Sequence, residues 1–323
     1  MKKALICGIS GQDGSYLARL LLCHGYEVIG TSRNAQMSEL VNLDKLGIRG
    51  RVRVISMALN DPRSVFQTIS QFRPDEVYNL AGLTSVALSF DQPLVALESI
   101  TIGTFNLIDS IRFIDKNIRF YSAGSSECFG ITGEFSADET TPFRPLSPYG
   151  VAKAAAFWQV ANYREAFSMY ACSGILYSHE SPLRPDCFVT QKIVAAACRI
   201  AAGSKEKLRL GNINIQRDWG WAPEYVEAMW LMLQQEKPAD YVIATGIRHS
   251  LEEFVDMAFS SVGCNWRDHV ILDADLLRPM DILTGYGNPA KALKNLGWKA
   301  KYHMHDIVRM MVSAQSTVTG EWR

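Results

Sequence analysis

Two side chains four residues apart open the chemical reading of this chain. In Ser147-Pro148-Tyr149-Gly150-Val151-Ala152-Lys153, positions i and i+4 of a helix share one face, so Tyr149 and Lys153 point the same way. A neighbouring ammonium stabilises a phenolate and makes the tyrosine a usable general base or acid. Upstream, Gly124-Ser125-Ser126-Glu127 sets a hydroxyl and a carboxylate two residues apart at the expected C-terminal end of a sheet strand, where α/β active sites lie. A carboxylate at Glu127 could remove a proton α to a newly formed carbonyl; the competing reading is a cap or surface acid for the next segment.

A third group is Gly8-Ile9-Ser10-Gly11-Gln12-Asp13-Gly14. It is a G-x-x-G-x-x-G turn between a strand and a helix. Its glycines permit the turn and let a pyrophosphate approach the backbone at the helix N-terminus. After the second strand, Gly30-Thr31-Ser32-Arg33-Asn34 offers no acid for a ribose 2′-hydroxyl and one arginine for a 2′-phosphate. That favours NADP, with NAD the alternative; a solvated loop arginine is the other reading of Arg33.

These residues need a frame. Residues 3–7 are a short apolar run, 15–24 carry helical periodicity that Gly25 ends, and 26–30 form the next strand. The alternation continues with strands at 51–55, 76–81, 118–124 and 173–178 and helices around 61–72, 92–113 and 148–167. Strands separated by helices predict an α/β fold, a Rossmann-like doubly wound parallel sheet. The pattern loosens beyond it. The expected division is a nucleotide-binding domain at 1–177 and a smaller α/β substrate-binding C-terminal lobe at 178–323, interleaved with the first. The polar end, STVTGEWR at 316–323, reads as mobile.

The 323 residues carry 33 Lys plus Arg and 33 Asp plus Glu, and this balance without basic stretches excludes general nucleic-acid or anionic-membrane binding. No apolar run approaches the roughly 18–20 residues that a membrane span needs. The start lacks the long core and cleavage site of a signal peptide. Seven scattered cysteines without a Cys-x-x-Cys pair read as buried or partly buried thiols in a reducing compartment, the cytoplasm. No metal site is expected.

The glycine turn, the Tyr-x-x-x-Lys helix and the hydroxyl-rich strand end resemble the extended short-chain dehydrogenase/reductase superfamily. Longer stretches, among them SAGSSECFG, TPFRPLSPYGVAKAAAFW, NYREAFSMYACSGILYSHESPLR and YVEAMWLMLQQ, resemble the GDP-mannose 4,6-dehydratase family from about residue 3 to 312. The resemblance implies that Tyr149 takes the C4 hydroxyl proton as hydride passes to NADP. It implies that Lys153 tunes the tyrosine and that Ser125 holds the C4 oxygen. It implies that Glu127 removes the C5 proton and helps expel the C6 hydroxyl as water. It implies cofactor contacts at Gly8, Ser10, Gly11, Gln12, Asp13, Gly14, Arg33, Leu59, Leu80, Ala81, Tyr149, Lys153, His179 and Arg184. Nucleotide-sugar contacts are implied at Thr84, Ser85, Ser125, Ser126, Glu127, Tyr149, Ser178, Val189, Lys192, Gly211, Asn212, Arg217 and Arg278, where arginines fork onto phosphate oxygens. A homodimer or homotetramer is implied, paired through the helix of Tyr149 and the long helix before it.

The chain departs from that family's pattern at several contacts. Ser125 stands for threonine, Met57-Ala58-Leu59 for Gly-Asp-Leu, and Ala81-Gly82-Leu83-Thr84 for Ala-Ala-Gln-Ser. Ser178 stands for asparagine and Gln191 for arginine, and of a paired-arginine loop only Arg33 remains before Asn34. This clustering points to a shifted substrate, such as a GDP-heptose, to altered cofactor preference or to weaker tetramer formation. The alternative activity is an NDP-sugar epimerase or 4-reductase, which would keep Tyr149 and Lys153 but not need Glu127; a non-catalytic NADP-binding sensor would usually lose one of the pair.

Overall fold

The run Lys3–Cys7 becomes β1, the middle of a sheet, because all but its first residue are buried, the environment of a parallel strand covered on both faces. The computed structural model describes residues 1–319. After β1 come α1 (Gln12–Cys23), β2 (Glu27–Ser32), α2 (Val41–Lys45), β3 (Arg53–Ser56), α3 (Pro62–Phe72) and β4 (Glu76–Asn79). Then follow α4 (Val86–Asp91), α5 (Pro93–Ala96), α6 (Gly103–Ile114), β5 (Arg119–Ala123), α7 (Pro148–Phe167) and β6 (Ala171–Leu176). The second half carries β7 (Ser178–Glu180), α8 (Val189–Ala201), β8 (Leu208–Leu210), β9 (Gln216–Arg217), β10 (Trp219–Trp221), α9 (Ala222–Gln234) and β11 (Tyr241–Ile243). It ends with β12 (His249–Ser250), α10 (Leu251–Ser260), β13 (Val270–Leu272), β14 (Thr284–Gly285), α11 (Ala290–Leu296) and α12 (Met304–Thr319).

Seven strands form one parallel sheet in the order β11-β6-β5-β4-β1-β2-β3, the doubly wound arrangement that the alternation predicts. The chain winds outward from β1 through β2 and β3, then returns to β4 and winds the other way. This reversal opens a crevice beyond the carboxyl ends of β1 and β4, the usual ligand position in such sheets. Successive β1 residues face opposite layers: Ala4 and Ile6 pack under α1 and α9 with Leu17, Leu21 and Met229, whereas Leu5 and Cys7 pack under α3 and α6 with Ile69 and Leu107. Although α9 and β11 come late in the chain, α9 packs on α1 and β11 pairs with β6. A separate core joins α8, α10 and α12 around Trp219, Phe254 and Met311.

Three expectations need correction. Residues Pro93–Ile114 form one helical run of 22 residues, long and apolar enough by length and composition to cross a membrane; interspersed Glu98, Asn106, Asp109 and Arg112 break any uninterrupted apolar run. The run packs on α3 and α7 within the fold. Its middle, Leu97–Ile102, is a wide π turn in place of an α-helical one. The tail begins as a helix, since α12 continues to Thr319; the remainder of the expected mobile end lies outside the described residues. Finally, Cys23 and Cys187 are exposed, because each sits at the polar end of its segment rather than on an inward face.

Candidate active site

The Tyr149–Lys153 pair is presented by the first turns of α7. Ser147 caps that helix by accepting the Gly150 amide at 3.0 Å, and Pro148 occupies its first turn, where a missing N–H costs nothing. Both side chains face the end of β5. There Ser125 caps the short turn Ser126–Cys128, accepting the Glu127 amide at 3.2 Å, and its hydroxyl lies near enough to the Tyr149 phenol to draw that group's pKa down. Lys153 Nζ donates to the Ala123 carbonyl at 2.6 Å and lies 5.8 Å from the centre of the Tyr149 ring. Burial pushes the Tyr149 phenol up, against the pull of Ser125, and pushes the Lys153 ammonium down to about 8. Each group therefore resists carrying charge alone, and each titrates in response to charge brought beside it.

Glu127 lies in the field of two arginines that reach it from far along the chain. Burial raises its pKa, and the positive charges of Arg217 and Arg278 oppose that rise. Arg217 is fixed by the Asp281 carboxylate at 2.9 Å and by the Gln216 carbonyl at 2.9 Å. Arg278 reaches the same Asp281 oxygen at 3.4 Å. The site thus joins a hydroxyl pair, an ammonium and a carboxylate with raised proton affinity to two guanidinium groups suited to phosphate oxygens.

The glycine turn lies at the carboxyl end of β1. Gly8 has φ of +88°, and a Cβ on it would press on the Leu80–Ala81 backbone at 3.1 Å. A Cβ on Gly14 would collide with the Gly8 carbonyl. The N-cap of α1 is Gly11, and no side chain caps it, so amides there are left for an anion, as a dinucleotide's pyrophosphate requires. The residues fit such a group. The side chains of Gln12 and Asp13 point elsewhere. Gln12 accepts from the Ser181 hydroxyl at 2.7 Å and donates to the His179 carbonyl at 3.2 Å. Asp13 pairs with His179 Nε2 at 2.8 Å. The other ring nitrogen of His179 is 2.7 Å from the Tyr177 carbonyl, and its ring stacks on Tyr225. Both nitrogens of His179 are thus engaged inside the protein, and the pair ties α1 to β7.

This pair gives a pH dependence. Burial alone would lower the His179 pKa and raise that of Asp13, but their mutual attraction and hydrogen bond reverse both, leaving His179 raised and Asp13 lowered. The histidine's contribution to stability is full below its ordinary pKa and is lost as pH rises through the raised folded value. The aspartate's is present above its ordinary pKa and is lost as pH falls through the lowered one. The pair is therefore strongest between about pH 4 and 6.5. The Tm gap between wild type and Asp13→Asn is expected to be widest at about pH 5.5 and to shrink toward about pH 9; an equal gap at both would contradict the pairing.

The other expected contacts are spread around this centre. Arg33 is exposed just past β2. Leu80 and Ala81 follow β4 beside Gly8, and Leu59 abuts Gly103 with its carbonyl held by Asn106 at 2.8 Å; the neighbouring Ala58 amide is held by Ser64. Ser10 presents its carbonyl to Asn42. Thr84 is exposed, and Ser85 caps α4 by accepting the Leu88 amide. Ser126 is partly exposed in the turn after Ser125. Leu83 packs with Tyr149 against Ile100, Ala152 and Ala156. Ser178 pairs with Trp219 in the β7–β10 ladder. Arg184 binds Glu180 at 3.2 Å. Val189 opens α8 and packs into the second core, whereas Lys192 is exposed and bonds the Arg209 carbonyl at 2.9 Å. Gln191 is buried toward α12, 3.4 Å from Gln315. Gly211 lies against the Leu276 carbonyl, and Asn212 caps its own loop through the Asn214 amide.

Comparison with known proteins places this geometry. The sequence model of a family described as GDP-mannose 4,6 dehydratase matches residues 5–311. The chain belongs to the GDP-mannose 4,6-dehydratase family. It is 46% identical over 321 residues to GDP-mannose 4,6 dehydratase 1 of Arabidopsis thaliana, covering 96% of this chain and 89% of that one. It is 38% identical over 345 residues to GDP-mannose 4,6-dehydratase of Vibrio cholerae, covering 96% and 93%. Its fold is that of the Thermus thermophilus UDP-glucose 4-epimerase complex with NAD, at TM-score 0.86 and 24% identity over 97% of this chain and 98% of that one. It is also that of dTDP-glucose 4,6-dehydratase from Bacillus anthracis in complex with NAD, at TM-score 0.85 and 18% identity over 100% and 99%.

Within this member of the GDP-mannose 4,6-dehydratase family, the sequence reading misses two carboxylates. One is Asp281, which gathers Arg217 and Arg278. The other is Asp218, fully buried, which accepts the Thr245 amide at 2.8 Å, the Thr245 hydroxyl at 2.7 Å and the Gly246 amide at 2.9 Å. It stands in the Arg-Asp-Trp-Gly run, where the arginine is the residue that signals phosphate binding.

Proposed function

We propose that this protein is a nucleotide-sugar 4,6-dehydratase that converts GDP-mannose, or a close GDP-sugar, to the GDP-4-keto-6-deoxy sugar and water. The observation that carries the reading is Glu127, a carboxylate of raised proton affinity two residues from Ser125 and beside the Tyr149–Lys153 pair. An epimerase or 4-reductase uses that pair and has no use for the carboxylate.

A bound nicotinamide dinucleotide, held by the Gly8–Gly14 turn and by Lys153, supplies a hydride acceptor at C4 that returns the hydride to C6, and its oxidised ring is positive, which favours the Tyr149 phenolate. Tyr149 takes the C4 hydroxyl proton while Ser125 holds that oxygen. The resulting ketone makes the C5 proton acidic. Glu127 takes that proton and passes it to the C6 hydroxyl, which leaves as water; as hydride returns to C6, C5 regains a proton, balanced by the one Tyr149 took from the C4 hydroxyl, and the raised proton affinity of Glu127 suits a carboxylate that both takes and gives a proton. Arg217 and Arg278 hold the diphosphate, with Asp281 fixing their forks. The deciding experiment is mass spectrometry after incubation with a panel of GDP-sugars, including GDP-mannose and GDP-heptoses. Loss of one water without net reduced cofactor supports the reading; a product of unchanged mass points to epimerisation. The apolar surface of Leu83 beside Tyr149 is the reason for the wider panel.

NADP is the proposed cofactor, because Arg33 is exposed where β2 ends and no acid replaces it. Arg33→Ala is expected to weaken NADP binding about tenfold, the scale of one charged hydrogen bond, and to leave NAD binding unchanged; equal losses for both would count against it. A homodimer is proposed, with a tetramer the larger alternative. Leu94, Val95, Ile102 and Phe105 on the long helix and Val151 and Trp158 on α7 are exposed apolar residues, more than a monomer usually leaves together. Trp158→Glu should shift the sedimenting species to monomer, and an unchanged assembly would move the interface elsewhere.

A further inference from the structure

We propose that the π turn Leu97–Ile102 is a positioning element for Tyr149 and Lys153, acting through Thr101. The inference builds on the functional reading above. Its ground is how this turn is wedged. The Gly103 amide reaches back five residues to the Glu98 carbonyl, a widened geometry that is rare in helices and recurs at functional sites. Ser99 and Thr101, two residues apart, face different flanks. Ser99 Oγ accepts the Leu83 amide at 3.1 Å and donates to the Val95 carbonyl at 2.6 Å, which ties the turn to the loop after β4. Thr101 is buried, and its hydroxyl donates to the Ala152 carbonyl at 3.0 Å, one residue before Lys153. Between them Ile100 packs on Ala152 and Ala156, against which Leu83 and the Tyr149 ring also rest.

The start of α7 is thus gripped from two sides. From the sheet come Ser125 and the Ala123 carbonyl. From the opposite side come Thr101, Ile100 and also Ser89, whose hydroxyl accepts the Tyr149 amide at 3.2 Å. The Ala152 carbonyl is already an acceptor of the helix's own ladder. The extra bond from Thr101 therefore adds nothing that α7 needs to be a helix; it fixes where α7 sits. A shift of the Lys153–Tyr149 face by a fraction of an ångström changes how both meet the reacting C4 oxygen, and it lets water reach a lysine whose depressed pKa depends on burial.

The test uses Thr101→Val, which keeps the shape and removes the hydroxyl, and Thr101→Ser, which restores the hydroxyl. The titration of Lys153 is followed by competitive amine labelling and mass spectrometry, a readout independent of turnover. Lys153 is expected to titrate near wild type in Thr101→Ser and about one unit higher in Thr101→Val. In turnover, Thr101→Val is expected to lose about tenfold in kcat with KM for the nucleotide sugar little changed, and Thr101→Ser to recover it. A Thr101→Val protein with a lower Tm but unchanged Lys153 titration and kcat would overturn the inference. If wild type dehydrates no GDP-sugar and the Lys153 shift still appears, the functional reading falls and the positioning role stands.

Discussion

Tyr149→Phe is expected to leave a folded protein whose kcat for dehydration is lower by about 10²–10⁴-fold, the usual scale of a positioned acid–base group. The substitution removes one oxygen. The ring still rests on Ile100, Ala152 and Ala156, so Tm should barely move, and Lys153 keeps its bond to Ala123. What is lost is the group proposed to take the C4 hydroxyl proton. Without it hydride cannot leave C4, so a single turnover should show neither reduced nicotinamide absorbance nor loss of water. Cofactor titration on the same variant checks that binding survives. Turnover within a few-fold of wild type would remove Tyr149 from the mechanism.

Glu127→Gln separates the second half of the reaction from the first. In the proposed mechanism oxidation at C4 needs Tyr149 and Lys153, which this change leaves in place. Elimination needs a proton taken from C5 and one delivered to the C6 oxygen, and an amide does neither. Rapid mixing with GDP-mannose should therefore show nicotinamide reduction that persists, while steady-state water loss falls by about 10²–10⁴-fold. The amide also removes the negative charge that Arg217 and Arg278 face, so KM should change less than kcat. Full dehydration by this variant would refute the role of Glu127. Unimpaired conversion to a product of unchanged mass would instead favour the epimerase reading.

Those two residues are legible in the sequence because each belongs to a local spacing: four residues along a helix for Tyr149 and Lys153, two along a strand end for Ser125 and Glu127. The glycine turn is legible for the same reason, and strands alternating with helices suffice to predict the doubly wound sheet. What supports the site is mostly not local. Asp281 lies 64 residues from Arg217 and His179 lies 166 from Asp13, and no periodicity connects such partners. Asp218 stands within a recognisable motif, yet its backbone partners at Thr245 and Gly246 come from another strand end, and nothing about an aspartate beside an arginine reveals them. The π turn at Leu97–Ile102 is silent because its residues suit an α-helix equally well; only the surfaces on either side, α7 and the loop after β4, demand the wider turn.

The late arrival of β11 and α9 has a consequence for how the protein can be made. Until residue 243 has left the ribosome, β6 is an open sheet edge, and until α9 forms, the apolar side of α1 is uncovered. A recombinant fragment stopping near residue 177 would keep the complete glycine turn and both Tyr149 and Lys153. It would also leave open the outer edge of β6, a fully buried strand then paired only with β5, the kind of surface on which chains stick to one another. The half of the molecule that looks most like an independent nucleotide binder in its primary structure is therefore the half least suited to expression by itself.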